Sequence, residues 1–256
     1  MTTVQGISLD IPTPDGVADA YVARPDDNAT HPGVLMYSDA VGLRQVTRDM
    51  ADRLASHGYT VLAPNLFYRA GHAPVFKSPD QIKPEEAHTY MMEVIMPVVL
   101  AVTPELIMRD TGVYLDWLAS SEHTNDGRVG VTGYCVGAQY MLRAAGTFPD
   151  RIAAGAGFHG GFLATDTPDS PHLLAGNITG ELYFGHADED ESNPPEQIEL
   201  LNKTLADAGV RYTSEVYTGV GHGYTQVDFS AIGRYNPEAT ERAWRELLAL
   251  FDRTLR

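Results

Sequence analysis

The chain is short of three things: cysteine, positive charge and long apolar runs. A single cysteine, Cys135, among 256 residues excludes an internal disulfide and any zinc site built from several thiolates. Eighteen Lys and Arg stand against 34 Asp and Glu, a formal net charge of −16. So acidic a chain lacks the clustered cations that nucleic acid or an anionic membrane surface calls for, and neither is expected as a partner. The longest apolar stretch, Met91 to Val102, is broken by Glu93 and Pro97 and is too short to span a bilayer. The opening MTTVQGISLD has no basic start followed by an apolar core, so no secretory signal is expected and the cytoplasm is the default location. What the chain does have is core-forming material: 43% hydrophobic against 20% charged residues suit a folded chain, read as one domain over 1–256.

Short apolar runs rich in β-branched residues alternate with stretches of helical period, the signature of βαβ units around a mostly parallel, doubly wound sheet with helices on both faces. Two strands joined by Pro14-Asp15-Gly16 open the chain, because Pro fixes one φ and Gly permits a positive one. Further strands are predicted at Gly33 to Ser38, Tyr59 to Ala63, Arg128 to Gly133, Ile152 to Phe158, Gly180 to Gly185 and Arg211 to Tyr217. A helix is expected over Val41 to His57, and another after Asn236 and Pro237, with Trp244, Leu247, Leu248, Phe251 and Leu255 as its apolar stripe. Between about 70 and 110 the rhythm breaks into Pro-, Met- and His-bearing sequence too long for an ordinary connection, read as an insertion over the functional edge.

The chemistry concentrates where an apolar strand runs into Gly133-Tyr-Cys135-Val-Gly137 and then into a helical segment. This is the G-x-S-x-G nucleophile elbow with cysteine in place of serine: a sharp strand-to-helix turn projects the central side chain, and its glycines avoid collision with the adjoining elements. At the amino end of a helix, unpaired N–H groups attract a negative sulfur. The amide of Val136 would donate to an oxyanion, with the amide of Ala40, after the third strand, as the second donor.

An elbow nucleophile takes an acid and then a histidine later in the chain. Both follow predicted strands: Gly185-His-Ala-Asp188, and Gly221-His222-Gly-Tyr224. Asp188, the first carboxylate after its predicted strand, is expected to orient His222, with Glu189 and Asp190 as competitors, and His222 to move the proton of Cys135. His159, His186, Asp188 and His222 show no spacing typical of a metal site, so neither metal nor cofactor is expected.

These pieces, together with Ser38-Asp-Ala-Val-Gly-Leu-Arg44 and Gly58-Tyr-Thr-Val-Leu-Ala-Pro-Asn-Leu66, resemble the dienelactone hydrolase family over nearly the whole chain. The resemblance implies an α/β-hydrolase fold and a metal-free Cys-His-Asp triad that hydrolyses an enol-lactone. Two departures stand out. Where aromatic-degrading members carry a glutamate that holds the resting thiol, this chain has the shorter Asp39, expected either to modulate Cys135 or to cap a helix. Where those members hold the substrate carboxylate with an arginine shortly after the histidine, this chain has Gln226, which lacks the charged fork. Arg69 is the candidate replacement, and Tyr90, His159 and Tyr224 are further candidates to touch the substrate. The expected substrate is a small lactone or ester, cleaved through a thioester acyl-enzyme. A general carboxylesterase or thioesterase, and a weakly catalytic ligand-binding or redox-sensing protein, are the alternatives.

Overall fold

The computed structural model describes residues 2–232 and 234–256. The chain forms two compact units that divide between Val129 and Gly130.

In the first unit, β1 (Val4–Thr13) and β2 (Gly16–Pro25) form the expected hairpin, with Thr13 opposite Gly16. β2 pairs antiparallel with β4 (Thr60–Pro64), which pairs in parallel with β3 (Gly33–Tyr37). Every residue of β3 and β4 is buried, which is why both read as continuous apolar runs rather than alternating ones. The connecting helix α1 (Gln45–Ala55) buries Met50, Ala51 and Leu54. It starts later than the Val41 to His57 expectation. Asp39 folds the preceding residues into a turn, its side chain accepting from the Val41 amide at 2.9 Å and its carbonyl from Gly42 N at 3.0 Å.

The irregular stretch is largely helical. A 3-10 turn at Pro79–Gln81, α2 (Pro84–Tyr90), a π-helical turn at Met91–Ile95 and α3 (Met96–Ala101) lead to α4 (Pro104–Ser120). Pro97 has no N–H to continue an i→i−4 ladder, and the turn ahead of it takes the wider spacing. Thr103 caps α4, its hydroxyl accepting from Leu106 N at 3.3 Å. Among the described residues no single helix is long and apolar enough to cross a membrane.

The second unit contains β5 (Val129–Tyr134, whose first residue belongs to the first unit), α5 (Val136–Thr147), β6 (Ile152–Phe158), β7 (Glu181–Glu189), α6 (Pro195–Asp207), β8 (Tyr212–Gly221) and α7 (Pro237–Leu255). The strands lie in chain order, with β6–β7 and β7–β8 parallel. α7 begins as its sequence predicts: Asn236 Oδ1 accepts from Ala239 N at 3.0 Å, and Trp244, Leu247, Leu250 and Phe251 are buried. β7 and β8 run on to Glu189 and Gly221 rather than ending near Gly185 and Tyr217. Their apolar patterns stop before their hydrogen-bond ladder does, and this extension decides which acid meets the histidine. Successive carboxyl ends of this unit deliver Cys135, His159, Asp190 and His222.

Candidate active site

Cys135 follows β5 and precedes α5 with φ 55° and ψ −120°. A non-glycine residue there carries roughly 1–3 kcal/mol of strain, which persists only when the surroundings fix it. They do: Cys135 N donates to Phe158 O at 3.1 Å, and its own carbonyl accepts from Ala138 N at 3.0 Å. Gly133 is required by the turn, because a Cβ there would lie 2.0 Å from the carbonyl oxygen of Gly137. Cys135 and Val136 are each half-buried. Val136 is the first residue of α5, so its N–H has no acceptor within the helix.

His222 directly follows β8. Its Nδ1 donates to Asp190 Oδ2 at 2.7 Å, and its ring hydrogen-bonds the Cys135 side chain. Burial works against a charge on this imidazole. A negative charge on the Cys135 sulfur, when it forms, and the hydrogen-bonded carboxylate of Asp190 outweigh burial and push the His222 pKa up to about 10. Asp190 is buried, and although burial alone would raise its pKa, the hydrogen bonds from His222 and Ser192 hold the carboxyl below the ordinary range.

The acid facing His222 is therefore Asp190 and not the expected Asp188. Asp188 still belongs to the extended β7, and its carboxylate accepts from Gly219 N at 2.8 Å and Val220 N at 3.0 Å, pinning the end of β8. Those backbone donors lower its pKa. The strand ends at Glu189, so the first carboxylate beyond it is Asp190 rather than Asp188. A fourth participant was missed. Ser192 Oγ donates to Asp190 Oδ1 at 2.6 Å and lies 3.3 Å from His222 Nδ1, while its amide donates to the same Asp190 oxygen at 3.0 Å. The signal was present as Asp190-Glu-Ser192, an acid followed two residues later by a hydroxyl and amide able to close an Asx turn.

The expected substrate contacts fare differently. His159, placed by the end of β6, is fully buried behind His222 rather than exposed to a ligand. Tyr224 is fully buried, its hydroxyl donating to Gly185 O at 3.1 Å. Gln226 is buried too, its amide donating to Thr225 Oγ1 at 3.1 Å.

The remaining candidates lie in the first unit. Asp39 is bound bidentately by Arg44, at 2.7 and 3.0 Å, with both side chains only 3% exposed. Both carboxylate oxygens are engaged, and the cap of α1 is Arg44 rather than Asp39. The Arg69 guanidinium binds Asp110 at 2.8 and 3.0 Å and Asp15 at 2.6 and 3.0 Å. It also lies over the Tyr68 ring, 4.4 Å from the centroid. Tyr90 ends α2, its hydroxyl accepting from Lys77 N at 3.1 Å. Ala40 is buried in the loop after β3. Among the described residues no group of three or more His, Cys, Asp or Glu side chains is arranged to hold a metal ion.

The model of the dienelactone hydrolase family matches residues 18–255. A protein of Methylorubrum extorquens named "Putative carboxymethylenebutenolidase" is 24% identical over 240 residues, 93% of this chain and 77% of that protein. Protein usf of Aquifex pyrophilus is 29% identical over 235 residues, covering 90% of this chain and 91% of its own. Among solved structures, the dienelactone hydrolase from Anabaena variabilis superposes with a TM-score of 0.68 at 15% identity, covering 99% of both chains.

Proposed function

The chain belongs to the dienelactone hydrolase family, has its α/β-hydrolase fold and is a hydrolase, and from that premise we propose that it opens a lactone or ester through Cys135, His222 and Asp190 and a thioester intermediate. The observation that carries this reading is the alignment of three groups in sequence. A sulfur is held on a strained turn, a histidine is hydrogen-bonded to it, and a buried carboxylate stands 2.7 Å behind the histidine.

The proton of Cys135 passes to His222, and the sulfur attacks the carbonyl carbon while the Val136 N–H stabilises the oxyanion. Collapse breaks the C–O bond, the alkoxide takes the proton from His222, and the acyl group remains on sulfur. For a lactone, the released hydroxyl stays on the acyl chain. Asp190 keeps its charge throughout and fixes the ring tautomer, and Ser192 orients Asp190.

The electrostatics fit both halves of the cycle. While sulfur is negative, His222 is held protonated and ready to serve the leaving oxygen. Once the thioester forms, the sulfur charge is gone and burial favours the neutral ring. His222 can then accept a proton from water, whose oxygen attacks the thioester and expels the thiolate with release of the acid. Thiolates leave more readily than amines, which favours esters and lactones over amides.

The substrate class narrows further. The two positions considered for a cationic clamp are a buried amide, Gln226, and a guanidinium already paired with two carboxylates, Arg69. A neutral lactone or ester fits an acidic chain of this kind better than a dicarboxylate.

Assay of wild type and Cys135→Ala against dienelactone, p-nitrophenyl esters and acyl thioesters tests the reading. Turnover of lactone or ester that vanishes in the variant supports it. Absence of any turnover, with Cys135 still rapidly alkylated by iodoacetamide, would replace it with a redox-sensing role.

A further inference from the structure

The triad leaves one neighbouring group unused. His159 is completely buried and sits at the end of β6 with φ 39°, a left-handed conformation in which a histidine is strained. Its amide donates to Gly185 O at 2.8 Å, locking that backbone in place. The ring meets His222 in an edge-to-face arrangement, with centroids 5.3 Å apart and planes at 69°. On another side it meets Tyr224, at 5.2 Å and 78°. Nε2 lies 2.7 Å from Thr225 Oγ1, and Nδ1 is buried without a hydrogen-bond partner.

A structural filler at this place has a simpler form. Phenylalanine would pack against Tyr224 and His222 without stranding a polar nitrogen, which is destabilising when buried. A histidine in a strained conformation, with one nitrogen anchored and the other unpaired, is therefore costly, and such costs concentrate at functional sites.

We propose that His159 is a positioning residue for hydrolysis: an imidazole, anchored by the Thr225 hydroxyl, whose ring fixes His222 in the one orientation that faces Asp190 and Cys135 together. The proposal rests on the Cys135 and His222 reading and extends it to the wall behind the ring. His222 has two obligations, Nδ1 toward Asp190 and the opposite side of the ring toward sulfur, and a ring free to rotate about its χ angles would lose one of them. Contact with His159 restricts that rotation, and the Thr225 anchor restricts His159 itself.

Neutrality is part of the device. The groups that face His159 are His222 and Asp190 from the loops after β8 and β7, Tyr224 from the segment after His222, and Tyr134 from β5, its ring centroid 6.1 Å away. Burial and the positive charge of His222 both hold the His159 pKa well below its ordinary value, against the opposing pull of Asp190. A charge at 159 would repel the imidazolium that the first half-reaction needs; the site prevents that charge from forming.

The test uses Thr225→Val, which removes the anchor and leaves every triad residue intact, together with His159→Phe and His159→Asn, the last suited to a left-handed backbone. Steady-state ester hydrolysis and histidine side-chain nitrogen NMR are followed against pH in the full-length protein. The expected result is a kcat lower by about 10- to 100-fold with KM changed less than about twofold. His222 should also lose its proton at a pH below the value of about 10, and His159 should stay neutral throughout. Wild-type kcat in Thr225→Val and His159→Phe overturns the proposal. So does a fall in kcat with His222 still titrating at its wild-type pH, since that marks a merely structural loss. If Cys135→Ala keeps its activity, the nucleophile reading fails, and this is distinguishable because the His222 titration is read without turnover.

Discussion

Replacing Asp190 by Asn separates the observed site from the one expected at Asp188. The carboxylate oxygen lies 2.7 Å from His222 Nδ1, and the Asp190 side chain is only 2% exposed. For charge centres about 4 Å apart at an effective permittivity of about 20, the interaction is about 4 kcal/mol, equal to about three pKa units. The His222 pKa of about 10 then falls to about 7 when the charge is removed. The asparagine amide can also turn its NH2 toward Nδ1 and favour the wrong tautomer, an effect that lowers kcat by up to about 10⁴ in a serine triad. The assay is kcat/KM for a p-nitrophenyl ester as a function of pH. The expectation for Asp190→Asn is a fall of at least about 100-fold, with the alkaline limb displaced from about pH 10 toward about pH 7. Asp188→Asn should keep activity within a few-fold, because its side chain is exposed and bonded to backbone. An inactive Asp188→Asn beside an active Asp190→Asn would refute the reasoning.

Other outcomes follow from the same contacts. Ser192→Ala should lower kcat by about tenfold, since it removes one of the donors that aim Asp190, with KM little changed. Arg44→Ala leaves Asp39 buried and unpaired, and equilibrium denaturation should show a loss of about 3–5 kcal/mol; a loss below about 1 kcal/mol would mean the pair is not buried in solution. Gly133→Ala should destabilise by about 3 kcal/mol or more, because its methyl group meets the Gly137 carbonyl rather than a movable side chain. Asp190 titrates below its ordinary 3.8 in the folded state. Its stabilising contribution is therefore present above pH 3.8 and lost as pH falls through the lower folded-state value. The stability gap between wild type and Asp190→Asn should shrink below that pH in denaturant titrations.

The parts of this molecule legible from sequence are those governed by local chemistry. The β1–β2 hairpin follows from Pro14-Asp15-Gly16, the start of α7 from Asn236 and Pro237, and the placement of Cys135 from the two glycines around it. Misreadings arise where hydrogen bonding continues beyond the apolar pattern. Asp188 and Glu189 are polar, yet they remain in β7: Glu189 pairs with Gly221 of β8, and Asp188, at the irregularity between two paired residues, is tied to β8 by its carboxylate, so a reading based on hydrophobicity stops too early. Pairings distant in sequence were also invisible. Arg69 finds Asp110 at 41 positions' distance and Asp15 at 54, and a lone arginine at a loop start carries no sign of either. Arg44 lies only five residues from Asp39, but nothing in that spacing announces that the loop folds back to close the pair. The complete burial of His159 depends on Tyr224 and His222, which arrive from the segment after another strand and leave no local mark around position 159.

The central claim is that Cys135 carries the acyl group. Wild-type protein mixed with p-nitrophenyl acetate, quenched in acid within the first turnovers and examined by peptide mass spectrometry tests it directly. The account predicts one acetyl group on the peptide containing Cys135, present in the first turnovers of wild type and absent in Cys135→Ala. Steady turnover with no acyl group on Cys135, or wild-type turnover by Cys135→Ala, would contradict it.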